Sequence, residues 1–255
     1  MAGIWLTGLA VAVALMVATW LVSLRRNDVS IVDMLWGPAI AAAGMAWLWA
    51  APGSSPRGAL AVSLAALWAL RLALFIFARN HGKPEDRRYR EIRARNEPGF
   101  RWKALYLVFG LQALLACMVG LPLYGAALSP TPLGWLDLLG GAFFAIGFTI
   151  EAMADWQMAR FQRTPAAGRG VMDQGWWRYS RHPNYFGEAC LWWGLWLVAL
   201  GGGAWWTAVG PALLTVLLLK VSGVALTEKD IASRRPDYQA YIRRTSAFFP
   251  LPPRG

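Results

Sequence analysis

The chain has 255 residues, 57% of them apolar, with 16 tryptophans and a net charge of +11. This excludes an ordinary soluble domain, because apolar runs approaching the roughly 20 residues a bilayer crossing needs recur from end to end. Two cysteines, Cys117 and Cys190, both inside apolar runs, point to neither a disulfide framework nor a cysteine-based metal site.

The runs are Ile4–Val22, Ile31–Trp49, Ala59–Ala78, Ala104–Leu123, Leu133–Asp155, Tyr185–Leu200 and Trp205–Leu226. The first lacks a basic leader and a clear small-residue cleavage pattern after Trp20, so it reads as a helix and not as a signal peptide. Basic residues alternate between the connections. Arg25 and Arg26 follow the first run, eight Lys/Arg fill Lys83–Lys103, five fall between Arg160 and Arg181, and six lie in the tail. The intervening loops hold almost none. By the positive-inside rule the N-terminus is outside and the C-terminus cytoplasmic. The expected fold class is an all-α polytopic membrane protein of about seven transmembrane helices, as one domain over residues 1–255 whose cofactor-binding half is 133–255. Charge concentrated on one membrane face meets anionic lipid there, which removes the need for a nucleic-acid partner. An anionic cofactor entering from that side would use the same field.

Polar groups inside the runs come next in chain order. Asp33 starts the second run, followed by Gly37 and Pro38, which weaken a helix and free backbone groups. Arg71 lies deep in the third run. The two suggest an ion pair, a polar pocket, or both. Glu151 and Asp155 share one helical face at the end of the fifth run, with Arg160 and Arg163 following. A glycine-rich loop, Arg163–Gly175, carries Arg169; it matches neither the dinucleotide fingerprint nor the P-loop. Then comes Arg181-His182-Pro183-Asn184-Tyr185-Phe186-Gly187-Glu188, a dense polar segment at the start of the sixth run, where such groups are costly and usually functional. Pro183 suits a first helical turn, making Asn184 and Glu188 i, i+4 neighbours able to read a carboxamide, a ribose hydroxyl or an adenine edge. His81 and His182 are the only histidines and no metal-ligand spacing exists, so no metal is expected. The tail, with Tyr238 and Tyr241, reads as an interfacial amphipathic helix. Glu228 and Lys229 end the seventh run within reach of a ligand.

These segments together resemble the steroid 5-alpha-reductase superfamily, and most closely its bacterial branch of uncharacterised membrane proteins, DUF1295. The likeness covers Val32-Asp33…Trp36-Gly37, Ala154-Asp155-Trp156-Gln157, the Arg181–Glu188 motif, Glu228-Lys229 and the Arg-Arg-Thr-Ser-Ala-Phe segment. The resemblance implies a multi-pass protein of the bacterial inner membrane. It implies NADPH bound from the cytoplasmic side and hydride transfer to the activated C=C bond of a steroid-like or other lipid enone. By position it gives cofactor contacts to Asp155, Arg160, Asn184, Tyr185 and Glu188. Arg163, Arg169 and Arg181 become phosphate neighbours, with His182 and Lys229 nearby. Asp33 takes the place of the acid that helps polarise the carbonyl. The tyrosine expected in the third span is absent, as no tyrosine lies between Asp33 and Tyr89; Arg71 then stands as the oxygen-side cation. The partners implied are a lipid substrate and membrane lipids, with no obligate protein partner. The alternative is an S-adenosylmethionine-dependent isoprenylcysteine-type carboxyl methyltransferase, which shares a similar core motif. A transporter is the third class, although no inverted repeat is visible.

Overall fold

The computed structural model describes residues 1–165, 170–221, 223–224, 228 and 237–254. Among them the chain is helical, without a named strand. The helices are α1 (Ala2–Arg26), α2 (Val32–Ala50), α3 (Pro56–Asn80), α4 (Arg87–Asn96), α5 (Phe100–Val119), α6 (Leu121–Ala127), α7 (Trp135–Phe161), α8 (Pro183–Gly201), α9 (Trp205–Val221) and α10 (Tyr238–Arg244). Every expected apolar run is mainly helical where described, with Ile31, Gly120, Leu133, Gly134 and Gly223 outside the helices. Among the described residues, four helices, α1, α3, α5 and α7, are long and apolar enough to cross a membrane. Their outward faces are apolar too: Leu67, Leu70, Leu74 and Phe77 on α3 are 48–60% exposed. Such faces suit lipid and not water, which marks a membrane protein.

The chain divides into two compact units: residues 1–137 with 198–210, and residues 138–197 with 211–255. In the first, α1 packs on α2 and α2 on α3, with α5 and α6 against them. Close approach is set by small residues. A Cβ on Gly8 would fall 2.2 Å from Nε1 of Trp47, a fully buried indole that donates to the Trp5 carbonyl at 3.0 Å. Gly37 lets α2 meet the backbone of Ala69. α2 continues through Pro38, whose missing N–H leaves the Met34 carbonyl without its helical donor. α5 includes a π-helical stretch at Leu105–Gly110, and α9 ends in another at Leu217–Val221.

Arg57, a lone cation in a sparsely charged loop by sequence, is 2% exposed. Its Nε and Nη2 donate to Asp137 at 2.8 Å each, Nη2 also reaches the Pro132 carbonyl, and Nη1 reaches Ser129 Oγ and Thr131. A buried ion pair is tolerable only when its remaining donors are met in this way.

In the second unit, α7 and α8 touch backbone to backbone. A Cβ on Gly147 would sit 2.5 Å from the Gly187 carbonyl oxygen, and one on Gly194 would sit 2.6 Å from that of Gly140. The tail differs from the expected interfacial helix. α10 is seven residues long, and Tyr238 and Tyr241 are buried, the latter donating its hydroxyl to the Trp177 carbonyl. Tyr241 anchors the unit's interior because its hydroxyl finds a backbone acceptor there, and Tyr238 packs edge-on against its ring at 5.5 Å.

Candidate functional site

The polar motif is built by three segments of the second unit. A 3-10 turn, Gly175–Arg178, leads in. Its Trp177 indole donates to the Ala154 carbonyl at 3.0 Å, and Gln157 accepts from the Trp176 N–H at 3.1 Å. Ser180 then pairs with Ser246 in a parallel bridge: the Arg181 N–H donates to the Ser246 carbonyl at 2.8 Å, and Ser180 Oγ to that of Phe248. α8 starts at Pro183, as its fixed φ favours.

Arg181 and His182 converge on Glu228. Arg181 donates from Nε and Nη2 to the two carboxylate oxygens at 2.7 and 2.9 Å, and from Nη1 to the Thr245 carbonyl at 2.6 Å. His182 Nε2 lies 3.0 Å from Glu228 Oε1; a carboxylate only accepts, so this nitrogen carries the proton. Burial alone would raise the Glu228 carboxyl, but the hydrogen bonds from His182 and Arg181 and the Arg181 charge outweigh it and hold it at about 2. Tyr185 stacks on the His182 ring at 5.4 Å, the planes 1° apart.

Between these two rings in the chain, Asn184 Nδ2 donates to Asp155 Oδ1 at 3.2 Å, while Asn184 Oδ1 is buried with no hydrogen-bond partner. A buried acceptor left unmet costs about 1–3 kcal/mol, so this atom asks for a donor. Glu151, Asp155 and Glu188 are all buried. The glycine seam sets the start of α8 against Glu151, since a Cβ on Gly187 would fall 2.6 Å from the Glu151 nitrogen.

The first unit holds a separate polar centre. Asp33, near the start of α2, does not pair with Arg71. Its Oδ1 accepts the Tyr89 hydroxyl at 2.6 Å and its Oδ2 the Arg88 guanidinium at 2.7 Å. Both come from α4, inside the connection expected to be a charged loop. Asp86 caps this helix by accepting from the Arg88 N–H at 2.9 Å, and Glu85 ties it to the α1–α2 turn through the Val29 N–H and Arg93. Burial and the neighbouring Asp33 charge push the Tyr89 hydroxyl well above its usual range. Desolvation works against the Arg88 charge, but Asp33 and Asp86 raise it.

The family described as "Protein of unknown function (DUF1295)" matches residues 19–245. The chain belongs to this family. It is similar to the uncharacterized protein C594.04c of Schizosaccharomyces pombe, 25% identical over 278 residues, which covers 96% of this chain and 79% of that protein. It is also similar to the Delta(14)-sterol reductase ERG24 of Saccharomyces cerevisiae, 30% identical over 104 residues, covering 37% of this chain and 22% of that reductase. No solved structure matches.

In this DUF1295 protein, buried Asp155 is hydrogen-bonded to Asn184, and buried Glu188 follows one turn further along α8, with Tyr185 on the same helix. Arg181 and His182 spend their donors on Glu228 and on the tail, so they fix the motif's shape. Arg160 and Arg163 are exposed at the end of α7, Arg160 lying over the Trp156 ring at 5.6 Å. Arg169 and Lys229 lie outside the described residues. Arg71 is half-buried in α3. Sequence reasoning missed Arg88 and Tyr89 as partners of Asp33. The available signal was Tyr89 itself, the one phenol in a run dominated by arginine and glutamate.

Proposed function

We propose that this protein is an NADPH-dependent membrane oxidoreductase that reduces an activated C=C bond of a lipid, in a seven-span arrangement with the C-terminus cytoplasmic. The observation that carries this reading is the Asp33–Tyr89–Arg88 centre. It supplies the acid-and-tyrosine pair that the steroid 5-alpha-reductase likeness calls for, with the tyrosine coming from α4 instead of the third span. The partial similarity to a sterol reductase supports the same class.

The residues of the second unit fit a dinucleotide. Asn184 Oδ1 is a buried acceptor suited to a carboxamide N–H or a ribose hydroxyl, with Asp155 beside it. Exposed Arg160 and Arg163 offer forked donors to phosphate. When bound, the cofactor supplies the hydride. The protein's own part is proton management and charge. Tyr89 turns its hydroxyl from Asp33 Oδ1 to the substrate oxygen and lends its proton there as that oxygen gains charge; the enol so formed takes a proton from water at its α carbon and returns the hydroxyl proton to Tyr89, which regenerates the phenol. Arg88 stays on Asp33 Oδ2 throughout, so the carboxylate is never left bare while the phenol is away. Arg71 is the further cation proposed to stabilise the developing enolate.

Equilibrium titration of the purified protein tests the cofactor class: NADPH is expected to bind in the micromolar range, and binding of S-adenosylmethionine in its place would overturn the reading. Tyr89→Phe is expected to leave NADPH affinity unchanged and to lower turnover of an enone substrate about 10²-fold or more, the usual scale for a positioned proton donor. Equal losses in affinity and rate would remove Tyr89 from the chemistry.

A further inference from the structure

The first unit also carries a cleft of about 80 Å³ between the α1–α2 turn and the end of α3. Arg26, His81 and Lys83 stand on its rim, and Met34, Ile76 and Phe77 form an apolar floor. The neighbouring ion pairs are Arg88 with Asp33 and Asp86, and Arg93 with Glu85, leaving Arg26 and Lys83 with no described carboxylate partner. Asp28 is the single acid among the lining residues, and its Oδ1 is turned onto its own loop, accepting from the Ser30 N–H and hydroxyl. The N-terminal end of α2, a 19-residue helix, opens into the same space through Ser30, Ile31 and Met34 and adds a positive partial charge. The C-terminal end of α3 opposes it, but the Phe77 and Asn80 carbonyls there already accept from the His81 and Lys83 N–H groups at 2.8 and 3.0 Å. The balance favours a compact anion.

The floor decides what carries that anion. Phe77 belongs at once to the cleft and to the exposed stripe Leu67, Leu70, Leu74, Phe77, spaced at three and four residues along α3. A cationic rim joined to an apolar track on an outward helix face is the outline of a headgroup and its chain. We propose that this cleft binds the phosphate of a membrane phospholipid, with one acyl chain lying along the α3 stripe. The proposal rests on the membrane placement of the helices and is independent of the reductase chemistry.

The test uses the full-length protein in a non-ionic detergent, titrated with dioctanoyl phosphatidic acid, inorganic phosphate and dioctanoylglycerol. Phosphatidic acid is expected to bind at least about tenfold more tightly than either fragment, a difference of about 1.4 kcal/mol. The double variant Arg26→Gln/Lys83→Gln is expected to lose about that factor, with its melting temperature kept. The variant Arg25→Gln/Arg95→Gln removes the same charge elsewhere and is expected to keep full affinity. Equal binding of inorganic phosphate, equal loss in both variants, or no loss in the first would overturn the proposal. NADPH titrated into the same samples reports on the reductase reading alone: a protein that takes the lipid but not NADPH refutes that reading and leaves the cleft standing.

Discussion

Asp33 and Glu228 answer the same physical problem, a carboxylate in a dry place, by gathering donors from distant parts of the chain. For Glu228 the result is a carboxyl held at about 2 against an ordinary 4.5. A depressed folded-state value contributes stability that is complete above 4.5 and is lost as pH falls toward 2. Thermal unfolding followed from pH 5 down to 2 should therefore show an acid-labile step that is missing in Glu228→Gln, and an unchanged acid limb in that variant would place the stabilisation elsewhere. The sequence makes Asp33 conspicuous because an acid in an apolar helix has few ways to be satisfied. Its partners were not legible in the same way. Arg71 stands out by lying deep in an apolar run, whereas Arg88 is one of eight similar cations in its connection, and nothing local distinguishes it until α4 folds back over the α1–α2 turn.

At the scale of elements, the register of α7 against α8 is what aligns Asp155 with Asn184. Gly140 and Gly147 on one helix meet Gly194 and Gly187 on the other, each pair seven residues apart, and no side chain separates the backbones. Gly147→Ala should force the helices apart, costing about 1–3 kcal/mol as other overpacked contacts do. It should also weaken dinucleotide binding by stretching the Asn184–Asp155 hydrogen bond. Lower thermal stability with unchanged affinity would separate packing from site. The start of α8 at Pro183 was readable from proline chemistry, and the apolar runs from hydropathy. The glycine spacing was present in the sequence but carries no signal alone, because it gains meaning only when two such helices are known to be neighbours.

For the whole molecule, hydropathy predicted helices at all seven runs, and four of those helices have both the length and the apolarity to cross a bilayer. The seven-span arrangement is tested by accessibility of single cysteines in exposed connections. Ser54→Cys should be labelled from outside and Arg95→Cys only from the cytoplasmic side; labelling from one side would reject the alternation. What loop counting misread is Arg57. As a loop charge it is nearly irrelevant, yet in the fold it gathers Asp137, Ser129, Thr131 and Pro132 around one guanidinium. Arg57→Ala should cost about 3–5 kcal/mol, because it leaves Asp137 buried and uncompensated. Chemical or thermal unfolding of the first unit would read this loss directly.

The contacts between the Ser180–Arg181 segment and the tail also set an order of events during synthesis. Arg181 and Ser180 wait for the carbonyls of Thr245 and Phe248, 64 and 68 residues later in the chain. At ~5–20 residues per second that delay is on the order of 3–14 s, during which the early helices are already made and the motif has no fixed shape. The shape of the motif is thus completed only once the tail has been made. A chain interrupted between Arg181 and Thr245 would carry the early helices and yet leave the Arg181 guanidinium without its Thr245 carbonyl, an unsatisfied group for quality-control proteases to find.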